Sequence, residues 1–299
     1  MSEMLGIINV LKPPSMTSFD VVNWIKKNLN IRKAGHTGTL DPLATGVLPV
    51  CINRATKIIP YLPEEEKEYI AEIHLGKSTN TLDAEGEIIN EDEKWKNIKK
   101  SEFVHLLEQF KGEINQIPPM YSALKKNGKR LYELARKGKD IDREARKVKI
   151  NQLQIINFDL PRIRLRVNCS RGTYIRSLAR DIGNKLGTGA HLSFLVRTIS
   201  GPFSINYSHS FNEIKNLDKE KNNSFIISAD EVLNYPEVVV KNKFQKKAVN
   251  GAYLHLDELE IFPEQLLDNR RVLVYTENGR FISISEIEDD VCKPLRVFC

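Results

Sequence analysis

Over residues 69–75 apolar and polar positions alternate, with Tyr69, Ala71, Ile73 and Leu75 on one face and Ile70, Glu72 and His74 on the other. That period of two predicts a half-buried strand. Residues 162–168 repeat it, Ile163, Leu165 and Val167 interleaving with Arg162, Arg164 and Arg166, and predict a second strand. A helical spacing marks Phe103, Leu106, Leu107 and Phe110 as the stripe of a helix that begins at Ser101, with Gly112 as its C-terminal stop. Ser18 is suited to cap another helix, whose stripe is Val21, Val22, Trp24, Ile25 and Leu29. Ser170-Arg171-Gly172 turns the chain into a third, with Ile175, Leu178, Ala179, Ile182 and Leu186 on one side and a stop at Gly187.

Two prolines deny regular structure to residues 117–124. Residues 216–224 are polar and read as a linker or surface loop. Beyond them, residues 237–240, 271–275 and 280–284 read as short strands, the last two joined by a Glu277-Asn278-Gly279 hairpin turn. Strands and helices are thus mixed without a βαβ rhythm, which selects an α+β class over a doubly wound sheet. The late strands predict a small all-β C-terminal domain.

Composition narrows the picture. The 299 residues suffice for a large domain and a small one, and 41% hydrophobic with 28% charged residues is the balance of a soluble globular chain. The first apolar run is short and ends at Pro13-Pro14, so neither a signal peptide nor a spanning segment is expected, and the cytoplasm is the expected location. Cys51, Cys169, Cys292 and Cys299 form no C-x-x-C and are expected to stay reduced. The six histidines include no i,i+4 pair and no Cys/His grouping, so no metal site is expected. The net charge of +6 is concentrated: residues 125–149 hold eleven Lys or Arg against four Asp or Glu. Such a segment is either a phosphate-facing patch or a solvated, charge-rich loop, and charge alone does not choose.

The candidate chemistry lies in Gly35-His36-Thr37-Gly38-Thr39-Leu40-Asp41-Pro42-Leu43-Ala44-Thr45-Gly46-Val47-Leu48. Asp41 is its only carboxylate. Asp-Pro by itself is a common turn or capping device. The flanking glycines permit close backbone approach, and no Gly-Lys-Ser/Thr follows them, which excludes a phosphate-binding P-loop. A lone acid in this setting suggests a nucleophile or electrostatic partner rather than half of an acid/base pair.

The run strongly resembles the catalytic motif of the tRNA pseudouridine-55 synthases, H-T-G-T/A-L-D-P-L-A-T-G. Lys12-Pro13-Pro14-Ser15-Met16-Thr17-Ser18 is similar to that family's first motif. Lys67-Glu68-Tyr69 with Leu75-Gly76 resembles its tyrosine-bearing strand, and Ser170-Arg171-Gly172-Thr173-Tyr174-Ile175-Arg176 its arginine motif. Gly189-Ala190-His191-Leu192, Leu195 and Arg197 resemble the segment after it.

The resemblance covers nearly the whole chain. It implies a large mixed, mostly antiparallel sheet with flanking helices as catalytic domain (residues 1–230), a thumb insertion at about 118–149, and a small PUA-like RNA-binding β-barrel (231–299). It further implies isomerisation of uridine 55 in the T loop of tRNA, without cofactor, with Asp41 as catalyst on a flipped-out base. Tyr69, Tyr174, Arg176, Leu195, His36 and Lys12 are then substrate-binding. Arg176 partners Asp41, Tyr69 stacks on the base, and His36 fills the vacated space. Lys125, Lys126, Lys129, Arg130 and Arg197 would contact the RNA backbone, with Arg136 and Lys137 also on the thumb. Without the resemblance, spacing favours an exposed helix arginine for Arg176 and residue type a core aromatic for Tyr69, while Leu195 reads as core and His36 as a polar turn residue. The partner expected is tRNA, with no membrane, no obligate protein partner and a monomeric state. The alternatives are a guide-RNA-dependent synthase and a tRNA-folding chaperone using the same surface.

Overall fold

The computed structural model describes residues 6–63, 66–126, 128–135, 137–139, 141–260 and 270–298. Arg136, Cys299 and the first five residues of the chain lie outside these. A ten-stranded sheet runs in the order Ile226–Ile227, Gly6–Lys12, Thr45–Ile52, Ala190–Ser200, Lys67–Leu75, Arg162–Cys169, Arg146–Asp159 and Gly112–Gln116, with two short strands at its side. Its pairings are antiparallel except that of Ala190–Ser200 with Thr45–Ile52. The predicted alternation sets the register. Ile163, Leu165 and Val167 lie opposite Ile73, Ala71 and Tyr69. All six are buried against the helices Ser18–Asn28, Lys100–Glu108 and Ile175–Lys185.

Three local readings need correction. Thr17, not Ser18, caps the first helix: its Oγ1 accepts from the Asp20 N–H at 3.1 Å while the Thr17 N–H donates to Asp20 at 2.9 Å. Ser18 is buried one position further on and bonds elsewhere. Gly112 does not stop a helix. The helix Lys100–Glu108 relaxes through i→i+3 bonds at Gln109, Phe110 and Lys111, and Gly112, at φ +82°, opens a strand. Residues 216–224 are not all loop, because Phe211–Lys219 is a helix with a Ser210/Glu213 capping box and Ile214 fully buried. Its apolar stripe is too sparse to register as a period.

A second sheet holds six strands in the order Leu254–His255, Val291–Val297, Phe281–Glu288, Arg271–Thr276, Glu237–Val240 and Leu259–Glu260, and forms a nearly closed barrel. The α+β class and the mostly antiparallel large sheet are as expected. Ile7, Val47 and Cys51 on the outer face of the large sheet share a buried cluster with Leu273, Ile284 and Phe298 of the barrel. The opposite face of the same strands, Ile8, Val10, Leu48 and Val50, belongs to the main core. Among the described residues no helix is long and apolar enough to cross a membrane.

Candidate active site

Asp41 lies on the irregular connection between the strands Ala34–His36 and Thr45–Ile52. A loop without a ladder of its own needs external donors and acceptors, and three side chains supply them. The Ser18 hydroxyl donates to Leu40 O at 3.0 Å and accepts from Leu40 N at 2.8 Å. The Lys12 ammonium donates to the carbonyls of Pro13 (2.8 Å), Pro42 (3.3 Å) and Ala44 (2.6 Å). Thr45 Oγ1 donates to Lys12 O at 2.5 Å. Arg197 donates from Nε to Val47 O (2.8 Å), from Nη1 to Thr39 O (3.4 Å) and from Nη2 to Gly38 O (3.0 Å). Gly46, at φ +106°, lets the strand carrying Arg197 approach so closely that a Cβ there would meet Arg197 O at 2.2 Å.

The Asp41 carboxylate meets Arg176 on the first turn of the helix Ile175–Lys185, with Oδ2 2.9 Å from Nε. The Nε–H is not aligned with that oxygen, so the contact is an ion pair more than a directed hydrogen bond. Arg176 is only 4% exposed. Its Nη1 lies 3.5 Å from Asp83 Oδ2 and donates to Thr81 O at 3.0 Å, while Nη2 donates to Tyr121 O at 2.7 Å. One guanidinium thus spans two carboxylates and two carbonyls. Burial pushes the Asp41 carboxyl above the ordinary carboxylate range, Arg176 pulls it down, and Asp83 pushes it up again.

Asp41 faces a cavity of about 430 Å³ lined by His36, Tyr69, Tyr174, Arg176 and Leu195 among others. Tyr69 projects from the buried face of its strand, and burial raises its hydroxyl to about 12. Burial also raises the Tyr174 hydroxyl. The Tyr174 backbone is clamped by one amide: its N–H donates to Gln116 Oε1 at 2.8 Å and its carbonyl accepts from Gln116 Nε2 at 3.1 Å. His36 ends its short strand with a buried Nδ1 that has no hydrogen-bond partner. Burial lowers its affinity for a proton, with Arg197 and Lys67 adding to the effect.

The structure therefore brings Asp41, His36, Tyr69, Tyr174, Arg176 and Leu195 together. It does not bring Lys12 into the cavity wall, because that ammonium is wholly buried and committed to carbonyls. Nor is Arg197 free to meet an RNA backbone: it is fully buried behind the loop. Lys125–Lys126 and Lys129–Arg130 pair as a hairpin outside the cavity. Lys125, Lys129 and Arg130 are exposed, and Ser122 and Ala123 connect the hairpin to the rim.

Asp83 and Gln116 were not found from sequence. For Asp83 a signal existed, since an acid two residues before Glu85 N can close an Asx turn, as it does at 3.1 Å. Gln116 had none. Among the described residues no three His, Cys, Asp or Glu side chains converge as a metal site.

A model for the N-terminal domain of TruB family pseudouridylate synthases matches residues 26–175, and one for the C-terminal domain of tRNA pseudouridylate synthase B matches residues 176–234. A tRNA pseudouridine synthase B from Clostridium kluyveri is 44% identical over 296 residues, covering 99% of this chain and 100% of that one. Its counterpart from Clostridium tetani is 46% identical over 288 residues, covering 95% and 96%. The crystal structure of a Cbf5-Nop10-Gar1 complex contains a chain similar at a TM-score of 0.73 and 28% identity, covering 99% of this chain and 85% of that one. Carried by a match over nearly its full length, this chain belongs to the TruB family of pseudouridine synthases.

Proposed function

We propose that the chain converts uridine 55 in the T loop of tRNA to pseudouridine, as a monomer in the cytoplasm, with neither guide RNA nor protein partner. The observation that carries this reading is a single carboxylate, Asp41, held 2.9 Å from a buried arginine at the wall of a cavity of about 430 Å³. That volume holds one nucleoside and no folded loop, so the base must leave its stack to enter. The reaction breaks the C1′–N1 bond, turns the base and forms a C1′–C5 bond. N1 gains a proton and C5 loses one, so atoms and electrons balance without a redox partner. Asp41 acts as the carboxylate at the ribosyl–uracil bond, with Arg176 favouring its ionised form against the effect of burial. Tyr69 supports the uracil ring, and Tyr174 and Leu195 wall the pocket. His36, neutral at pH 7, occupies the space the base vacates.

The same reading makes the exposed Lys125, Lys129 and Arg130 of the thumb contacts to phosphate, sequence-neutral and salt-sensitive. It divides the chain near residue 230, between the last strand of the large sheet and the first of the barrel. A guide-dependent enzyme is the second reading, favoured by the similarity to Cbf5 in a complex. Against it stand the relatives named for tRNA, which match from end to end.

The test is tritium release from a tRNA transcript labelled at uridine C5, using the purified chain alone. We expect stoichiometric release from a transcript with uridine at position 55, none when that position is cytidine, and none with Asp41→Asn. Release that begins only after a guide RNA is added would select the second reading.

A further inference from the structure

We propose that Arg197 is a positioning residue, holding both legs of the Asp41 loop and the Tyr69 hydroxyl in one geometry and never touching RNA. The inference rests on the reading of Asp41 and Tyr69 given above. Its first support is burial. Arg197 is fully buried, and three of its N–H groups already point at Gly38 O, Thr39 O and Val47 O. Those carbonyls bracket Asp41, two before it in sequence and one after it. A planar fork reaches both legs at once, which an ammonium cannot do.

The second support is register. Arg197 lies directly opposite Tyr69 across the antiparallel pair, so the two side chains share one face. On its other side it lies opposite Gly46, where the absent Cβ lets the strands close up. The guanidinium is thereby beside the phenol, where it favours the ionised hydroxyl against the opposing effect of burial. The third support is its unusual lack of a counter-ion. Among the described residues no carboxylate lies within 4 Å of the Arg197 guanidinium, whereas Arg176 has two. A buried, uncompensated charge is costly. Neutral donors would satisfy the carbonyls as well, and the charge acts on the Tyr69 hydroxyl beside it.

A double-mutant cycle tests this. Arg197→Met and Arg197→Lys are each made alone and with Tyr69→Phe, and single-turnover kcat, KM for tRNA and the salt dependence of tRNA binding are measured. We expect Arg197→Met to lower kcat at least tenfold with KM within threefold and the salt slope unchanged. In the Tyr69→Phe background the same change should lower kcat by a factor at least threefold smaller, since the route through the hydroxyl is already gone and only the hold on the Asp41 loop remains to be lost. Arg197→Lys keeps the charge and should recover part of the loss. If Arg197→Met does not fold, Arg197→Lys is read through the same cycle. Equal fold-losses in both backgrounds would overturn the proposal. So would an intact kcat with a raised KM and a salt slope reduced by about one, the signature of a phosphate contact. Full kcat in Tyr69→Phe alone would show that the hydroxyl takes no part and would overturn the inference, while leaving the ring's support of the uracil intact.

Discussion

Replacing Lys12 with methionine should destabilise the protein by an amount that grows with pH. The ammonium is wholly buried and donates to three carbonyls, two of them in the Asp41 loop. Burial, opposed by Asp41 and Glu85, lowers it from the ordinary 10.5 to about 8. The native fold therefore binds this proton less tightly than the unfolded chain does. Where the unfolded chain holds more protons, stability rises with pH. For Lys12 that window runs from about pH 8 to the unfolded value near 10.5. Integrating linkage across it, the wild type gains about 2 kcal/mol from this group between roughly pH 7.5 and 9.5. Lys12→Met has no such group and gains nothing. At the lower pH the variant loses three hydrogen bonds but escapes the cost of a buried charge, a net loss of about 2 kcal/mol. At the higher pH the wild-type group is mostly a neutral amine that keeps two N–H donors and carries no buried charge, so the gap widens to about 4 kcal/mol. Urea unfolding of both proteins at each pH measures the difference, and every other titration cancels in it. A gap that stays constant, or narrows as pH rises, would refute a desolvated ammonium at this position.

Gly46→Ala should cost about 3 kcal/mol or more, since its Cβ would meet backbone atoms of Arg197 at 2.2 and 2.8 Å at a φ of +106°; a midpoint of urea unfolding within error of wild type would contradict this. Asp83→Asn removes a negative charge that holds the Asp41 carboxyl up, so the acid limb of kcat/KM should move to lower pH, while Arg176→Met should move it to higher pH; the pH–rate profiles of the two variants must shift in opposite directions. Neutralising Lys125, Lys129 and Arg130 should flatten the salt slope of tRNA binding by up to about three, one for each phosphate no longer neutralised. An unchanged slope would make the hairpin ordinary surface.

The strands were legible because their alternation is long and one face is fully buried. Residues 69–75 and 162–168 carry enough matched positions that only one register buries Tyr69, Ala71, Ile73, Ile163, Leu165 and Val167 together. The helix ends were less legible, because Thr17 and Ser18 are equally good caps by type and only the depth of Ser18 decides between them. The two basic residues went astray for one shared reason. Lys12 follows Ile8 and Val10 at a period of two, and Arg197 follows Leu195, so both lie on buried faces of their strands. Their roles came from the resemblance, which fixes a residue's place in a motif but not its depth, whereas the alternation that puts Tyr69 on a buried face puts these two there as well. Asp83 and Gln116 act through partners 93 and 58 residues away in sequence, Arg176 and Tyr174, which no local pattern encodes.

These misread residues explain how the site is built. The segment from Gly38 to Ala44 has no strand partner for the backbone around Asp41, and a loop left to itself samples many conformations at a cost of about 1–2 kcal/mol per residue to fix. Here Ser18 takes both polar groups of Leu40, Lys12 takes the carbonyls of Pro42 and Ala44, and Arg197 takes those of Gly38 and Thr39. Asp41 is flanked on each side by a residue whose carbonyl is already claimed, Leu40 and Pro42, and its own carboxylate is left to Arg176 and the cavity. The three holding groups come from the first strand, the first helix and the strand Ala190–Ser200, elements the core already fixes. On the proposed function, Asp41 is thus aimed before substrate arrives, and little reorganisation remains for the moment of bond cleavage. The motif Asp-Pro-Leu-Ala-Thr-Gly supplies the carboxylate, but its geometry is written in Lys12, Ser18 and Arg197.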